Sequence, residues 1–232
     1  PAFALGSWVA FKRVGGGHSM VMGDLVLLEA EVNDVISELQ KGGVEQTALH
    51  NHVLLESPRT MYLHIHAHGN EGRIAATIRS ALSRTATPLD TTAAGPPPAL
   101  ALDTAAIARA IGRSGTANGG VYQISVPRAG TIRDARNAVP ASMGLATVIN
   151  FQSTGDGRAA ITGDFVMTAG EVNRVIRALR DNDISIMALH SHLLTESPRL
   201  FFMHFWANDE ALKLARGLRA ALDRTNSRRP DR

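Results

Sequence analysis

Eight of the nine histidines in this chain fall into two short stretches, and histidine is the commonest transition-metal ligand in proteins. The two groups are His50, His52, His64, His66 and His68, and His190, His192 and His204. A neutral imidazole has an unperturbed pKa of about 6.5, so at neutral pH each ring can offer a nitrogen lone pair to a cation. Three imidazoles and a carboxylate suit zinc first, with copper, iron or nickel as alternatives.

The two stretches are copies of one another, 140 residues apart. Between residues 48–69 and 188–209, 11 of 22 positions are identical, and the ungapped match extends over about 80 residues. Two long units, rather than many short ones, indicate a duplicated domain and not a solenoid.

Strand periodicity predicts that the histidines of the first copy share one face of a sheet. Side chains two residues apart point to the same side of a strand. In residues 60–69 the apolar positions are odd-numbered, and the other face carries Tyr62, His64, His66 and His68. If residues 54–59 close an ordinary hairpin, His50 and His52 join that face, whereas a one-residue slip would separate them.

The second copy keeps this pattern but not every candidate ligand. Its even-numbered positions are Phe202, His204, Trp206 and Asn208, with His190 and His192 in the preceding strand. Trp206 replaces His66, and Asn208 replaces His68. We therefore expect the chemically active site to lie in the first repeat, while the second repeat forms only a wall of that site, with Trp206 for stacking or packing.

Each of these side chains has a predicted role. The predicted metal ligands are His50, His52, His64, Glu56, His190, His192 and His204. Glu56 or His66 would act as the general base. The pocket around them would contain Tyr62, His68, Arg59, Phe202 and Trp206. The alternative is that the histidines only form hydrogen bonds, and that Glu56 pairs with Arg59 in the turn.

Two other patterns have simpler interpretations. Met20 and Met22 alternate with His18, which would suit copper, but the second copy lacks all three, so packing is the preferred interpretation. Asp24 and Asp164 each follow a glycine near a predicted strand start, and we interpret them as turn and capping residues.

Composition excludes several classes of protein. A hydrophobic fraction of 44% with 19% charged residues indicates a folded globular chain. No apolar run approaches the roughly 18 residues of a transmembrane helix. A net charge of +3 with scattered basic residues argues against nucleic acid as a partner. The absence of cysteine excludes disulfides, thiolate metal sites and cysteine nucleophiles.

The predicted order of elements in each unit is β-β-α-β-β-α, an α+β fold with helices on one face of an antiparallel sheet. The two histidine faces could cover one another by packing sheet against sheet, as in an α+β barrel. Alternatively each unit keeps a separate site, or the units pair across a homodimer. The predicted boundaries are a first repeat at 1–86, a proline-rich linker at 87–101, a second repeat at 102–226 and a tail at 227–232. Because residues 102–144 have no counterpart, we expect the first repeat to lack roughly 40 N-terminal residues.

Several segments resemble the LppY/LpqO family of exported bacterial proteins, a family of unknown function. They are MVMGDLVLLEAEVNDVISELQKGGVEQTALHNHVLLESPRTMYLHIHAHG, NGGVYQISVPR, AAITGDFVMTAGEVNRVIRAL and ESPRLFFMHFWAND. The resemblance covers nearly the whole chain. It implies a periplasmic or otherwise exported protein with a duplicated architecture, and it supplies no reaction and no catalytic residue.

Three functional hypotheses follow. The first is a metal-dependent enzyme acting on a small molecule, in which the metal activates water or a substrate oxygen. The second is a protein that binds a transition metal or, without metal, a small ligand. The third is an envelope structural protein whose histidines form hydrogen bonds only. A buried histidine cluster beside a concave pocket would favour the first two hypotheses.

Overall fold

The computed structural model describes residue 3 and residues 5–89 and 99–228. The chain is α+β, with antiparallel sheets and helices, as predicted. Most of the predicted linker and the last four residues of the predicted tail lie outside the described residues.

The first repeat follows the predicted β-β-α-β-β-α order. Its elements are β1 (Trp8–Gly15), β2 (His18–Leu28), α1 (Val32–Lys41), β3 (Glu45–His50), β4 (Thr60–Gly69) and α2 (Glu71–Leu82). The four strands form one antiparallel sheet in the order β1-β2-β4-β3. Gly16 and Gly17 have positive φ angles of 62° and 74°, which the reversal between β1 and β2 requires and which glycine adopts without strain.

The second repeat has the same core with an N-terminal extension. The extension contains α3 (Thr104–Ile111), β5 (Thr116–Asn118), β6 (Val121–Pro127), β7 (Ile132–Asp134) and β8 (Asn137–Val139). The repeated core contains β9 (Ala146–Gly155), β10 (Arg158–Met167), α4 (Ala169–Arg180), β11 (Ser185–His190), β12 (Phe201–Glu210) and α5 (Ala211–Leu222). Strands β5 and β6 extend the sheet, whose order is β11-β12-β10-β9-β6-β5, while β7 and β8 form a separate hairpin.

One face of each sheet packs against its own helices, and the odd-numbered positions supply it as predicted. On β4, Leu63 and Ile65 are buried in a cluster with Val35 and Leu39 of α1. The equivalent cluster of the second repeat joins the odd-numbered residues of β10 and β12 to α3, α4 and α5. Each fully buried side chain of this size contributes about 1.5–3 kcal/mol through burial, so this face fixes the register of the strands.

The other face of each sheet is covered by the other repeat. Met20 and Met22 of β2 are buried in one cluster with Val166 of β10 and Phe202 of β12, which confirms the packing interpretation of these methionines. At one edge the repeats are also joined by hydrogen bonds. The Thr47 hydroxyl, for example, donates to the His192 carbonyl oxygen at 2.7 Å. Within the described ranges the strands form separate sheets that face one another, not one closed barrel.

A buried ion pair ties the N-terminal extension to the second repeat. The Arg128 guanidinium lies just after β6 and donates to both oxygens of Glu171 on α4, at 2.6 and 3.2 Å. Arg128 also donates to the carbonyl oxygen of Val166 at 3.0 Å. The Glu171 carboxylate accepts further bonds from the backbone N–H groups of Thr168 and Asn226, so the buried charges have several partners.

Candidate metal centre

Six histidines meet between the two sheets. His50 and His190 are the last residues of β3 and β11, His64 and His204 lie within β4 and β12, and His52 and His192 follow two residues beyond the strand ends. Their side chains are all buried. The predicted shared face is confirmed within the first repeat, where the rings of His50 and His64 are 5.0 Å apart between centroids. The structure thus brings together all six histidines predicted as metal ligands.

The six rings are arranged about a pseudo-two-fold axis. Three pairs of rings face one another across the interface, namely His50–His190 at 3.7 Å, His52–His204 at 3.8 Å and His64–His192 at 4.0 Å between centroids. Exchanging equivalent residues of the two repeats maps the first pair onto itself and the second pair onto the third. The axis therefore passes through the His50–His190 pair, and neither repeat contains the complete cluster.

Two aromatic rings that were predicted to line the pocket enclose the cluster. Tyr62 stacks on His52 with centroids 3.3 Å apart, and Phe202 stacks on His192 at 3.5 Å. Burial raises the pKa of Tyr62, so its hydroxyl stays protonated at neutral pH. These contacts hold the imidazole planes in place and exclude water from their outer faces.

Two aspartates belong to the cluster, and their interpretation as turn and capping residues was wrong. Asp24 and Asp164 lie inside β2 and β10, not at a turn. An Asp24 oxygen is 3.3 Å from His52 Nε2, and an Asp164 oxygen is 3.1 Å from His192 Nε2. The preceding glycine allows close packing within the sheet, because a Cβ at Gly163 would collide with the Val148 carbonyl oxygen.

Burial disfavours the charged form of several of these imidazoles, and two of the rings carry their protons on identified nitrogens. Burial lowers the pKa of His64, His192 and His204 well below the usual value, and repulsion from neighbouring histidines lowers that of His64 further. His192 donates from Nδ1 to the Gly144 carbonyl oxygen at 2.8 Å, and His204 donates from Nδ1 to the Gly163 carbonyl oxygen at 2.9 Å. Each of these two Nε2 atoms therefore presents a lone pair, the arrangement typical of metal-binding histidines.

Several Nε2 atoms of the cluster have no hydrogen-bond partner. The Nε2 atoms of His50, His64 and His204 are buried without one among the described residues. A buried polar atom left unpaired costs about 1–3 kcal/mol, so three of them in one cluster require an explanation. Cations bound in the two groups of donor atoms that contain His50, one with His64 and one with His204, would give these nitrogens partners.

The distances within the cluster fit one or more shared metal ions. Two ligands of a tetrahedral zinc ion with bonds of about 2.0–2.1 Å lie about 3.4 Å apart. The Nε2 atoms of His190 and His192 are 3.1 Å apart. Side chains whose donor atoms all lie within 4.8 Å of one another form three overlapping groups, His50–His64–His190, His50–His52–His204 and Asp164–His190–His192.

Burial raises the pKa of both carboxyl groups, although the neighbouring histidines oppose the rise. For Asp164 the pKa reaches about 6. A nearby cation would favour the ionised carboxylates, so metal binding would release protons from this site.

A cavity of about 360 Å³ adjoins the cluster. Asp24, Asp164 and four of the six histidines line it, together with Trp8 and the polar side chains of Gln123, Ser125 and Asn150. This polar wall comes from β6 and β9, so the extension of the second repeat builds one side of the cavity. A small molecule in the cavity could reach the nitrogen and oxygen donors of the cluster directly.

The structure places the remaining predicted site residues elsewhere. Among the described residues, Glu56 belongs to no group of side chains whose donor atoms could bind one ion. Its carboxylate instead accepts hydrogen bonds from the backbone N–H and the hydroxyl of Thr60 in the turn. Arg59 is exposed and lies 3.5 Å from Glu29. Trp206 makes an edge contact with Phe3, at 6.0 Å between ring centroids. His66 and His68 belong to a separate group described below.

The fold and the site together define a tandem α+β protein with a histidine–aspartate cluster between its repeats. The chain belongs to the family described as Domain of Unknown Function (DUF1259), which matches residues 1–84 and 105–224. The two matched segments agree with the duplication. No helix within the described ranges is long and apolar enough to cross a membrane.

Comparison with other proteins adds no function. No curated protein matches the chain. Among solved structures, the chain is similar to a double-ringed trimeric shell protein from the RMM microcompartment, with 9% identity, 94% of this chain and 93% of that chain covered, and a TM-score of 0.24. It is also similar to EtuB from Clostridium kluyveri, with 10% identity, 94% and 86% coverage, and a TM-score of 0.26. At these TM-scores the likeness carries no argument.

Proposed function

We propose that this protein binds a transition-metal ion between its two repeats and presents that ion to a small molecule in the adjoining cavity. The observation that carries the proposal is the set of unpaired, buried Nε2 atoms of His50, His64 and His204, which come from both repeats. Six imidazoles and two carboxylates are a donor set for zinc, copper, iron or nickel, with zinc the first expectation.

The position of the aspartates makes them better candidates for the general base than Glu56 or His66. Asp24 and Asp164 line the cavity, whereas neither Glu56 nor His66 does so. The oxygens of these two aspartates lie 3.3 and 3.1 Å from the Nε2 atoms of His52 and His192, so either carboxylate could take a proton from water or substrate bound there. The proposed reaction class is therefore metal-assisted activation of water or of a substrate oxygen.

A metal-free protein that binds a small ligand is the second candidate, because the cavity has the size of a ligand pocket and contains polar side chains. For localisation, the resemblance to the LppY/LpqO family supports an exported, periplasmic protein.

Elemental analysis of untagged protein tests the proposal. We expect at least about one equivalent of a transition metal in the wild-type protein, and its loss in the double variant His50→Ala/His190→Ala, which removes both rings on the pseudo-two-fold axis. The matched control is His18→Ala, because His18 is exposed and lies outside the cluster. Its metal content should equal that of the wild type.

Two outcomes would contradict the metal proposal. One is a wild-type protein that retains no metal after loading and buffer exchange. The other is a double variant that folds and keeps the full metal content. In the first case the cavity would be tested for metal-free binding of small molecules by calorimetry.

A further inference from the structure

A second group of metal-type ligands lies outside the inter-repeat cluster. His66 and His68 follow His64 along the same face of β4, and Asp134 ends strand β7 of the extension. None of the three lines the cavity beside the cluster. Together they form a separate group whose donor atoms lie within 4.8 Å of one another.

The three side chains converge on one carboxylate oxygen. The Nε2 atoms of His66 and His68 lie 2.9 and 2.8 Å from Asp134 Oδ2. Asp134 is 3% exposed, and its other oxygen accepts a bond from the Thr195 hydroxyl at 3.2 Å. The backbones of Arg133 and Ser197 exchange two hydrogen bonds of 2.8 and 2.9 Å, which tie the hairpin to the segment between β11 and β12.

The environment of His66 would suit a bound cation. Glu45 Oε2 lies 3.3 Å from His66 Nδ1, so that nitrogen donates its proton to the carboxylate and Nε2 carries the lone pair. Nε2 is buried and makes no hydrogen bond among the described residues, although the Asp134 oxygen is close. A lone pair facing a carboxylate oxygen at 2.9 Å is repelled, and either a proton or a metal ion bound between the two atoms would remove the repulsion.

We propose that His66, His68 and Asp134 form a second transition-metal site, with Glu45 as the positioning residue for His66. Two imidazoles and one carboxylate are the donor set of non-haem iron(II) centres, and they also serve zinc. The side chain of His68 is 36% exposed and that of Glu45 is 68% exposed, so an ion here meets solvent and exchanges more readily than one in the buried cluster.

The second repeat lacks this site, which supplies an internal control. Trp206 and Asn208 occupy the positions of His66 and His68. The two candidate sites share no ligand, so the second proposal stands or fails independently of the first.

Titration of metal-free protein with Co²⁺, followed by its visible absorption, tests the second site. The wild type should show two classes of site. His68→Ala and Asp134→Asn should lose the weaker class, and Glu45→Ala should weaken it about 10–100-fold. Asn208→Ala should behave as the wild type, and His50→Ala/His190→Ala should lose only the stronger class.

Circular dichroism of each variant verifies that it is folded. The proposal is overturned if folded His68→Ala and Asp134→Asn bind as many Co²⁺ ions as the wild type with the same spectrum. It is also overturned if the double variant of the cluster binds none. If only the inter-repeat cluster did not bind metal, the double variant His50→Ala/His190→Ala would show the same Co²⁺ spectrum as the wild type.

Discussion

Removal of the inter-repeat metal is expected to lower the midpoint of thermal unfolding by about 10 °C. A ligand that binds only the folded state stabilises it by about 4 kcal/mol when its free concentration is 1,000 times the Kd. For a chain of this size each kcal/mol shifts the midpoint by about 2–4 °C. The effect is large because the ligands come from both repeats, so the ion joins two sheets that otherwise meet through apolar packing and a few hydrogen bonds.

Differential scanning calorimetry with and without a chelator measures this effect. The control is His50→Ala/His190→Ala, whose midpoint should respond to the chelator much less than that of the wild type. Zinc, or the metal found by elemental analysis, should restore the wild-type midpoint, whereas Mg²⁺ should not, since Mg²⁺ prefers oxygen ligands. Equal midpoints for the loaded protein and for protein shown to be metal-free would contradict the expectation.

Substitution of Glu171 is expected to have the second large effect. Glu171→Ala should lower the free energy of unfolding by about 3–5 kcal/mol, because it leaves the Arg128 charge buried and unpaired. Urea denaturation measures the loss. Glu31 is the equivalent residue of the first repeat, where it accepts a bond from the Leu28 N–H and has no arginine partner among the described residues. Glu31→Ala should therefore cost only about 1 kcal/mol.

The contribution of Glu171 should depend on pH in a defined direction. Burial alone would raise the pKa of Glu171, but the bonds from Arg128 and from two backbone N–H groups hold it below the usual 4.5. A carboxyl group with a lowered pKa in the folded state stabilises the protein above the pKa of the unfolded state, and this stability is lost as the pH falls through the folded pKa. The difference between wild type and Glu171→Ala should thus shrink below about pH 4.5. If Glu171→Ala and Glu31→Ala lowered the free energy of unfolding equally at pH 7, the ion pair would contribute little.

The sequence was sufficient to predict the elements of the repeated core and the histidine faces, but not the helix and four strands of the extension. The constant offset between the repeats predicts the duplication, and the odd-numbered apolar positions of β4 predict which face meets the helices. Both features are local, since side chains alternate along a strand whatever the rest of the chain does. The approach of His50 to His64 followed from this alternation and is confirmed.

The missed residues are those that depend on packing between distant segments. Asp24 and Asp164 were assigned to turns because a glycine precedes each of them. In the structure that glycine lies inside a strand and admits close contacts. Their even-numbered positions, on the same face as Met20 and Met22, were the available signal. Asp134 had no such signal, because only the folded hairpin brings it to His66.

The structure gives Glu56 a role in the turn that the sequence did not distinguish from metal binding. Its recurrence as Glu196 suggested a shared chemical role, but both carboxylates bind the backbone N–H four residues later and so stabilise the same turn. Recurrence in a duplicated domain can therefore reflect folding rather than chemistry. Within the cluster, the unpaired Nε2 atoms are what favours a metal-binding role over a purely structural one. Sequence alone could not reveal them.

In the proposed function a metal ion lies on the interface between the repeats and is bound by histidines of both. Anomalous diffraction from crystals of untagged protein, recorded above and below the absorption edge of the metal identified, would locate this ion. We predict an anomalous peak within bonding distance of Nε2 atoms from both repeats, His50 or His64 on one side and His190 or His204 on the other. Metal-loaded crystals with no peak at this interface, and with ordered water bonded to these nitrogens, would contradict the claim.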